Sequence, residues 1–454
     1  MLADRIVSQP RPAWARGRAA DKTHAHYALR IAPCKLEIAP GIVIDTIGYN
    51  GQVPGPILRV REGVPVTVDV TNHSAAADIV HWHGLAIDPL NDGAMEEGSP
   101  MIPAGGTLRY HFTPRPAGTR WYHTHVAAGA NLSIGGYTGQ FGFFVVEGQH
   151  DPGHYDQEIF LAIHHWEPSF VPMVETMREA SANAPLTPGS DVGYKYATVN
   201  QHMLGAGEPI RVKRGQRVLM HLLNASGTEN VVLALPGHTF KVIAMDGNPV
   251  PNPVAVESLS LAVAERVDAI VEMNAPGMWV LGSTLAKSRA MGLGIVVEYA
   301  GATGTPVWHD PAPAEWDYSQ FANLAKAPDP DETFTLTFRD IGPMNGSQFD
   351  TWTINNQSWP KIDPLHVRQG RRYRIIFRNG SGDQHPMHMH RHTFEVTRVG
   401  TKEFSGLRKD IVNVMPLDSV AVDFVADNPG DTLLHCHHAL HMDFGFMQLL
   451  KYVG

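Results

Sequence analysis

Three stretches of this chain run from a glycine to an asparagine nine residues on, with apolar residues alternating between them. They are Gly63 to Asn72 (GVPVTVDVTN), Gly215 to Asn224 (GQRVLMHLLN) and Gly370 to Asn379 (GRRYRIIFRN). A period of two reads as a β-strand, and the Asn marks the turn that ends it. A second anchor recurs later in each copy, at Gly118, Gly277 and Gly430, and each copy closes on an apolar strand (FGFFVVEG, GLGIVVEYAG, FGFMQLLKYVG). Such self-similarity sets the architecture before any motif does. The expectation is an all-β chain of three Greek-key sandwiches or barrels in series. Its parts are an N-terminal extension over 1–35, domains over 36–150 and 155–300, a Pro-rich linker over 301–331 and a third domain over 332–454. The 43 glycines and 34 prolines suit many short strands joined by turns.

At 454 residues the chain exceeds one hydrophobic core and suits roughly two to four domains. Its net charge of -9 and pI near 6.3 argue against a nucleic-acid partner, which calls for a basic face. No run approaches the roughly 18 to 20 apolar residues of a membrane helix. The first residues (MLADRIVSQPRPAWARGRAADKTHAHY) are polar and Arg-rich, without the apolar core of a signal peptide.

The three copies differ in histidine. Nine residues after each Asn stand His81-Trp82-His83, Leu233-Ala234-Leu235 and His388-Met389-His390. Five residues after the second glycine stand His123-Thr124-His125, Gly282-Ser283-Thr284 and His435-Cys436-His437. On a strand, residues i and i+2 share a face, so each His-x-His presents two imidazoles side by side. Imidazole is the commonest neutral ligand for copper, zinc and iron. One such pair is weak evidence, but four at equivalent points of two copies, absent from the third, are not a packing pattern. Eight imidazoles exceed one mononuclear site. The expectation is a polynuclear cluster shared by the first and third domains, each giving half of the ligands.

Cys436 sits between His435 and His437, so its thiolate points to the other face of the strand. There it can meet His441 and His385, and two histidines with one thiolate form the trigonal set of a blue-copper site. One strand would then join that site to both flanking histidines of the cluster. A Cys34–Cys436 disulfide is possible on paper but conflicts with this use. Cys34 reads instead as a small buried hydrophobe on the first strand.

These residues resemble the multicopper oxidases, in particular bacterial three-domain laccase-like members. The four signatures are HWHG (81–84), WYHTH (121–125), HPMHMHRHTF (385–394) and HCHHALHMDFGFM (435–447), and the resemblance runs on through YNGQVPGP (49–56) and ADNPG (426–430). It implies three consecutive cupredoxin-like domains and four copper ions. By position, His385, Cys436 and His441 match the type 1 ligands, and His81 and His388 the type 2 ligands. His83, His123, His125, His390, His435 and His437 match the ligands of the type 3 pair. The implied reaction is one-electron oxidation of a small-molecule donor, a phenol or aromatic amine, coupled to reduction of O2 to water. Asp92, in an Asp-Gly turn, matches the family's acid near the cluster and is taken as catalytic; its bland alternative is a plain turn residue. The resemblance also implies a periplasmic or extracellular protein. One chain supplies both halves of the cluster, so a monomer is sufficient.

The sequence departs from the family at several points. Phe446 stands at the axial position where many bacterial members carry Met, with Met447 beside it. Arg391 replaces the usual Gly. Ala439 and Met442 occupy places where a carboxylate is often found, although Asp443 is close. His164 and His165 are adjacent on a strand and point to opposite faces, which suits packing. His238 in GHTF echoes His392 in RHTF as a structural position, and His438 is expected to face away from the cluster. Met387, Met389, Met442 and Met447 are expected to pack the type 1 site. Three rival readings stand beside the laccase type. A metal oxidase acting on Cu(I), Mn(II) or Fe(II) would call for a carboxylate or Met site beside His385 or His441. A copper nitrite reductase would need only type 1 and type 2 copper, and a metal-free member would lack ligands; the full ligand set argues against both.

Overall fold

The three repeated segments are strands, at Val66–Asn72, Arg217–Asn224 and Arg372–Asn379. In the computed structural model, described over residues 25–149, 152–172, 190–312, 315–343 and 349–453, the closing Asn acts alike in all three. Asn72 donates to the carbonyls of Ala76 and Ile102 (2.8 and 2.9 Å) and accepts from the Ser74 N–H (2.8 Å). Asn224 does the same with Glu229, Leu261 and Ser226, and Asn379 with Asp383, Val414 and Ser381. Each Asn thus replaces the ladder bonds its strand loses at the turn, which a buried chain reversal requires.

Among the described residues six sheets of four or more strands lie around these strands, two to a domain, with a further two-stranded sheet of Ser169–Pro172 and Ser190–Gly193 in the middle one. In the first domain the sheets run, in spatial order, Ile42–Tyr49, Tyr27–Ala39, Val66–Asn72, Thr107–Phe112 and Leu58–Arg61, Phe141–Glu147, Gly118–Thr124, Val80–His83. The third domain pairs a six-stranded sheet centred on Arg372–Asn379 with a five-stranded one. That second sheet runs Leu365–Val367, Met447–Tyr452, Thr432–Cys436, His385–Met389, Ile411–Val414. The middle domain repeats the plan around Arg217–Asn224. This is the cupredoxin-like all-β architecture expected. Strand Tyr27–Ala39 begins inside the stretch read as an extension, whose residues 1–24 lie outside those described. Within the stretch read as a linker, Phe321 is fully buried and the Tyr318 hydroxyl donates to Glu265 at 2.5 Å. No helix among the described residues is long and apolar enough to cross a membrane.

A buried charge network fastens the three domains together. Asp246, Glu265 and Arg266 come from the middle domain, Arg120 from the first, and Lys409 and Asp410 from the third; none is more than 3% exposed. Lys409 pairs with Asp246 and Glu265 (2.9 and 3.0 Å), Arg266 grips Asp410, and Arg120 reaches Asp410 and Asn248 (3.4 and 3.1 Å). Charges this deep persist only when every partner is present. Arg391 is a second fastener. Its φ of 58° explains why Gly is the usual residue there. Its guanidinium donates to the carbonyls of Ile87, Asn428, Pro429 and Asp431 and to the Thr432 hydroxyl, joining the first domain to the last.

His221 is clamped between Asp268 (2.8 Å) and Glu158 (3.2 Å). Burial opposes its charge, but Asp268 and then Glu158 prevail and push it up to about 9. A folded-state value above the unfolded 6.5 means the contribution is full below about pH 6.5 and is lost as pH rises through about 9. Stability measured by denaturation is therefore expected to fall across that window, and His221→Gln to flatten the fall; an unchanged slope in the variant would overturn the assignment.

Candidate metal centre

Strand pairing brings the histidines together. His81 lies opposite His123 in the first domain, and His388 opposite His435 in the third. In the middle copy Leu233 lies opposite Ser283 and Ala234 opposite Gly282, one step out of that register. Trp82 and Cys436, between the paired histidines, point the other way into apolar cores. The first and third domains then face each other: His83 stacks on His388 (centroids 3.8 Å, 12°) and His81 on His390 (4.0 Å, 24°).

The eight imidazoles turn their free nitrogens toward one another. His81 Nε2, His83 Nδ1, His123 Nε2, His125 Nε2, His388 Nε2 and His437 Nε2 are buried with no hydrogen-bond partner. His390 Nε2 and His435 Nε2 are 3.0 Å apart. Six of the opposite ring nitrogens are held from outside. His81 Nδ1 meets the Asp92 carbonyl (2.8 Å), His83 Nε2 the Asp410 carboxylate (3.0 Å) and His123 Nδ1 the Thr124 carbonyl (2.8 Å). His388 Nδ1 meets the Asp410 carbonyl (2.7 Å), His390 Nδ1 the Asp92 carboxylate (2.8 Å) and His435 Nδ1 the Cys436 carbonyl (2.8 Å). Such outer bonds set tautomer and ring orientation for metal binding. Burial, reinforced by neighbouring imidazoles, holds His83, His123, His125, His388, His390, His435 and His437 well below 6.5, so they are neutral at pH 7, the form that can ligate a metal. Buried polar atoms without partners are costly, and this many aimed at one place fit metal ions.

On the other face of the ligand strand, Cys436 Sγ lies 3.8 Å from His385 Nδ1 and 3.6 Å from His441 Nδ1, with the two nitrogens 3.2 Å apart. Ser381, in the turn made by Asn379, bonds His385 Nε2 at 2.8 Å, so the repeated turn also orients this imidazole. Burial pushes the Cys436 thiol up, so it ionises there only beside a cation. Phe446 lies against the His385 ring (4.8 Å, 73°) and stacks on Trp352 (5.6 Å, 2°). Met447 belongs to a separate cluster with Ala94, Leu433 and Leu449, against which Met442 also packs. The expectation that Met442 and Met447 pack the type 1 site is thus corrected: strand alternation turns Met447 to the opposite face from Phe446. Met387 and Met389 share the core that holds Cys436.

Asp92 is fully buried beside His390 and His81. Glu97, which sequence reasoning missed, accepts from the Leu433 N–H (2.6 Å) and lies 3.6 Å from His390 Nδ1; burial and then the Asp92 charge push it well above the usual carboxylate range. Asp410 and Arg266 were missed as well, because single charged residues far from any motif give no spacing signal. Asp443 is the carboxylate that stands nearest in sequence to Ala439 and Met442. It lines a narrow pocket that reaches His125 and His437, and it is held by the N–H groups of Ala128 and Gly129 (2.8 and 2.7 Å). The other histidines singled out in the sequence are bonded or stacked outside the cluster. His164 and His165 bond the Ala225 carbonyl and Ser226 Oγ, both at 2.7 Å. His238 bonds Tyr299 (2.5 Å) as His392 bonds Tyr452 (2.7 Å), and His438 stacks on His441 (3.7 Å, 10°) on the side away from the cluster. Cys34 is half-buried and unpaired.

Two outcomes are expected of the copper-loaded protein. Cys436→Ser should remove the intense visible band while the near-ultraviolet absorption of a coupled copper pair persists; loss of both, or of neither, would refute the division of ligands. Phe446→Met should lower the reduction potential of the Cys436 site, because Phe offers no axial donor to stabilise Cu(II). A redox titration in which the potential stayed level or rose would contradict this.

Sequence models of one family, described as multicopper oxidase, match residues 35–151, 176–298 and 329–452. The chain is 29% identical over 450 residues to multicopper oxidase MmcO of Mycobacterium tuberculosis, covering 93% of this chain and 86% of that protein. It is 26% identical to laccase-1 of Botryotinia fuckeliana, covering 90% and 78%. Among solved structures it is similar to a multi-copper oxidase from Pseudomonas thermotolerans (TM-score 0.71, 26% identity, covering 94% and 99%). It also shares its fold with a laccase from Botrytis aclada (TM-score 0.76, 21% identity, covering 93% and 87%). The chain belongs to the multicopper oxidases, copper-dependent oxidoreductases that use O2 as electron acceptor.

Proposed function

We propose that this enzyme is of the laccase type, oxidising phenols or aromatic amines. We assign His385, Cys436 and His441 to type 1 copper, and His81 and His388 to type 2. His83, His123, His125, His390, His435 and His437 are assigned to the type 3 pair. Bound there, copper supplies a one-electron acceptor and a centre that reduces O2 to water. The protein's own part starts at Cys436, which joins the two sites by its peptide bonds to His435 and His437 and by its carbonyl, which accepts from His435 Nδ1. Asp92, 2.8 Å from His390 Nδ1, is assigned as the group that holds protons beside the cluster. The ligands lie within one chain, so a single copy suffices, and by family likeness we assign it to the periplasm or outside the cell.

The observation that carries the donor class is the aromatic surface around the type 1 residues. His441 lies between Trp352 (4.0 Å, 36°) and His438, and Phe170, Tyr194 and Phe444 pack half-buried beside the helix Ala439–Asp443. Planar donors can stack on such rings within reach of His441. A second reading, oxidation of metal cations, is favoured by Asp383, two residues before His385. Burial, with the charges of Asp191, Asp340 and Asp350 adding, pushes it up to about 6, which marks a local concentration of carboxylates.

Steady-state rates decide between them. Phenols and aromatic amines are expected to give the higher kcat/KM, and Asp383→Asn to leave phenol oxidation unchanged. If Cu(I), Mn(II) or Fe(II) proved the better donor and Asp383→Asn abolished its oxidation, the metal-oxidase reading would replace this one. Asp92→Asn is expected to slow O2 reduction about 10- to 100-fold while the type 1 site still fills with electrons; unimpaired reoxidation would end the role given to Asp92.

A further inference from the structure

The middle domain contributes no ligand, yet it supplies the charge on which two ligands rest. Arg266 donates to both carboxylate oxygens of Asp410, Nη1 to Oδ1 and Nη2 to Oδ2, each at 2.6 Å. Asp410 then orients two rings from different domains. Its Oδ1 accepts from His83 Nε2 at 3.0 Å, and its backbone carbonyl accepts from His388 Nδ1 at 2.7 Å. Those two rings stack on each other at 3.8 Å. Moving Asp410 therefore moves one ligand of the first domain and one of the third together.

Arg266 is itself fixed. It is fully buried, its N–H donates to Asp246 Oδ1 (3.0 Å), and its guanidinium donates to the carbonyls of Ala264 and Asp246 (3.0 and 3.2 Å). Ala264 holds a φ of 71°, a backbone state rarely taken by a residue with a Cβ. The Gly of HWHG completes the arrangement. At φ 83°, a Cβ on Gly84 would stand 2.5 Å from Asp410 Oδ2 and 2.9 Å from Arg266 Nη2, so only glycine admits the pair.

We propose that Arg266 is a positioning residue for the oxygen-reducing cluster: through its two-pronged grip on Asp410 it fixes the ring orientation of His83 and His388, so that the ligand-free domain governs the metal site. The inference rests on the assignment of His83 and His388 as cluster ligands. The planar fork is essential, since a lysine would keep the charge and lose the second prong.

The test compares copper-loaded wild type with Arg266→Lys and Arg266→Gln by absorption, EPR and copper retention against a chelator. The type 1 site makes no contact with Arg266 or Asp410, so its blue band serves as the control for folding. In Arg266→Lys the blue band is expected to stay at wild-type intensity. The type 2 EPR signal and the near-ultraviolet absorption should change, and cluster copper should be held about 10- to 100-fold less tightly. Arg266→Gln should show the same pattern more strongly. A purely structural ion pair would lower stability and weaken both sites alike, or leave both spectra intact; either result overturns the proposal. If the lysine variant does not fold, the glutamine variant is read by the same criteria, and if neither retains the blue band the role is structural and the proposal fails. Wild-type protein lacking the coupled-copper signature would instead refute the ligand assignment itself.

Discussion

Eight imidazoles gathered into one buried space, six of them with a ring nitrogen that has no hydrogen-bond partner, are what the rest of this molecule must sustain. Each unsatisfied buried polar group costs about 1 to 3 kcal/mol, so the arrangement survives only on a rigid frame. Cross-strand pairing supplies that frame, placing His81 opposite His123 and His388 opposite His435. Hydrogen bonds to the far ring nitrogens then fix how each imidazole is turned. The apolar cores hold the strands, the strands hold the rings, and the rings leave one kind of atom facing inward.

The two halves of the ligand set are separate domains and need a brace. The charge network of Arg120, Asp246, Glu265, Arg266, Lys409 and Asp410 draws on all three domains and ends on His83 and His388. Arg391 adds a second brace, reaching from the third domain to the Ile87 carbonyl of the first. Both are buried, so neither is screened by solvent, and both are intolerant of losing a partner. The ligand-free middle copy is therefore structural mass with an electrostatic purpose, which its missing histidines alone do not reveal.

Much of this was legible in the chain. The Gly-to-Asn strands were, because period-two alternation and a closing Asn are local signals, and the structure gives Asn72, Asn224 and Asn379 one shared reason for being there. The grouping of the histidines and of Cys436 was legible too, since alternation along a strand decides which side chains meet. Asp410, Glu97 and Arg266 were not: each is a lone charged residue whose partners lie far off in sequence, so no spacing could point to them. Arg391 stood out only as an oddity until its five acceptors came into view. Met442 and Met447 misled for a simpler reason, as nearness in sequence to the copper signatures says nothing about which way a side chain faces.

The long separation between partners bears on how the protein comes into being. His83 and Asp410, which touch, are 327 residues apart. At roughly 5 to 20 residues per second, a ribosome needs on the order of 15 to 60 seconds to travel between them. Once its last strand, Phe141–Glu147, has been made, the first domain carries its four histidines through the rest of that interval with nothing to close against. A nascent chain is thus unable to assemble the full site, and metal capture falls to the end of biogenesis, after the last strand has been made and docked.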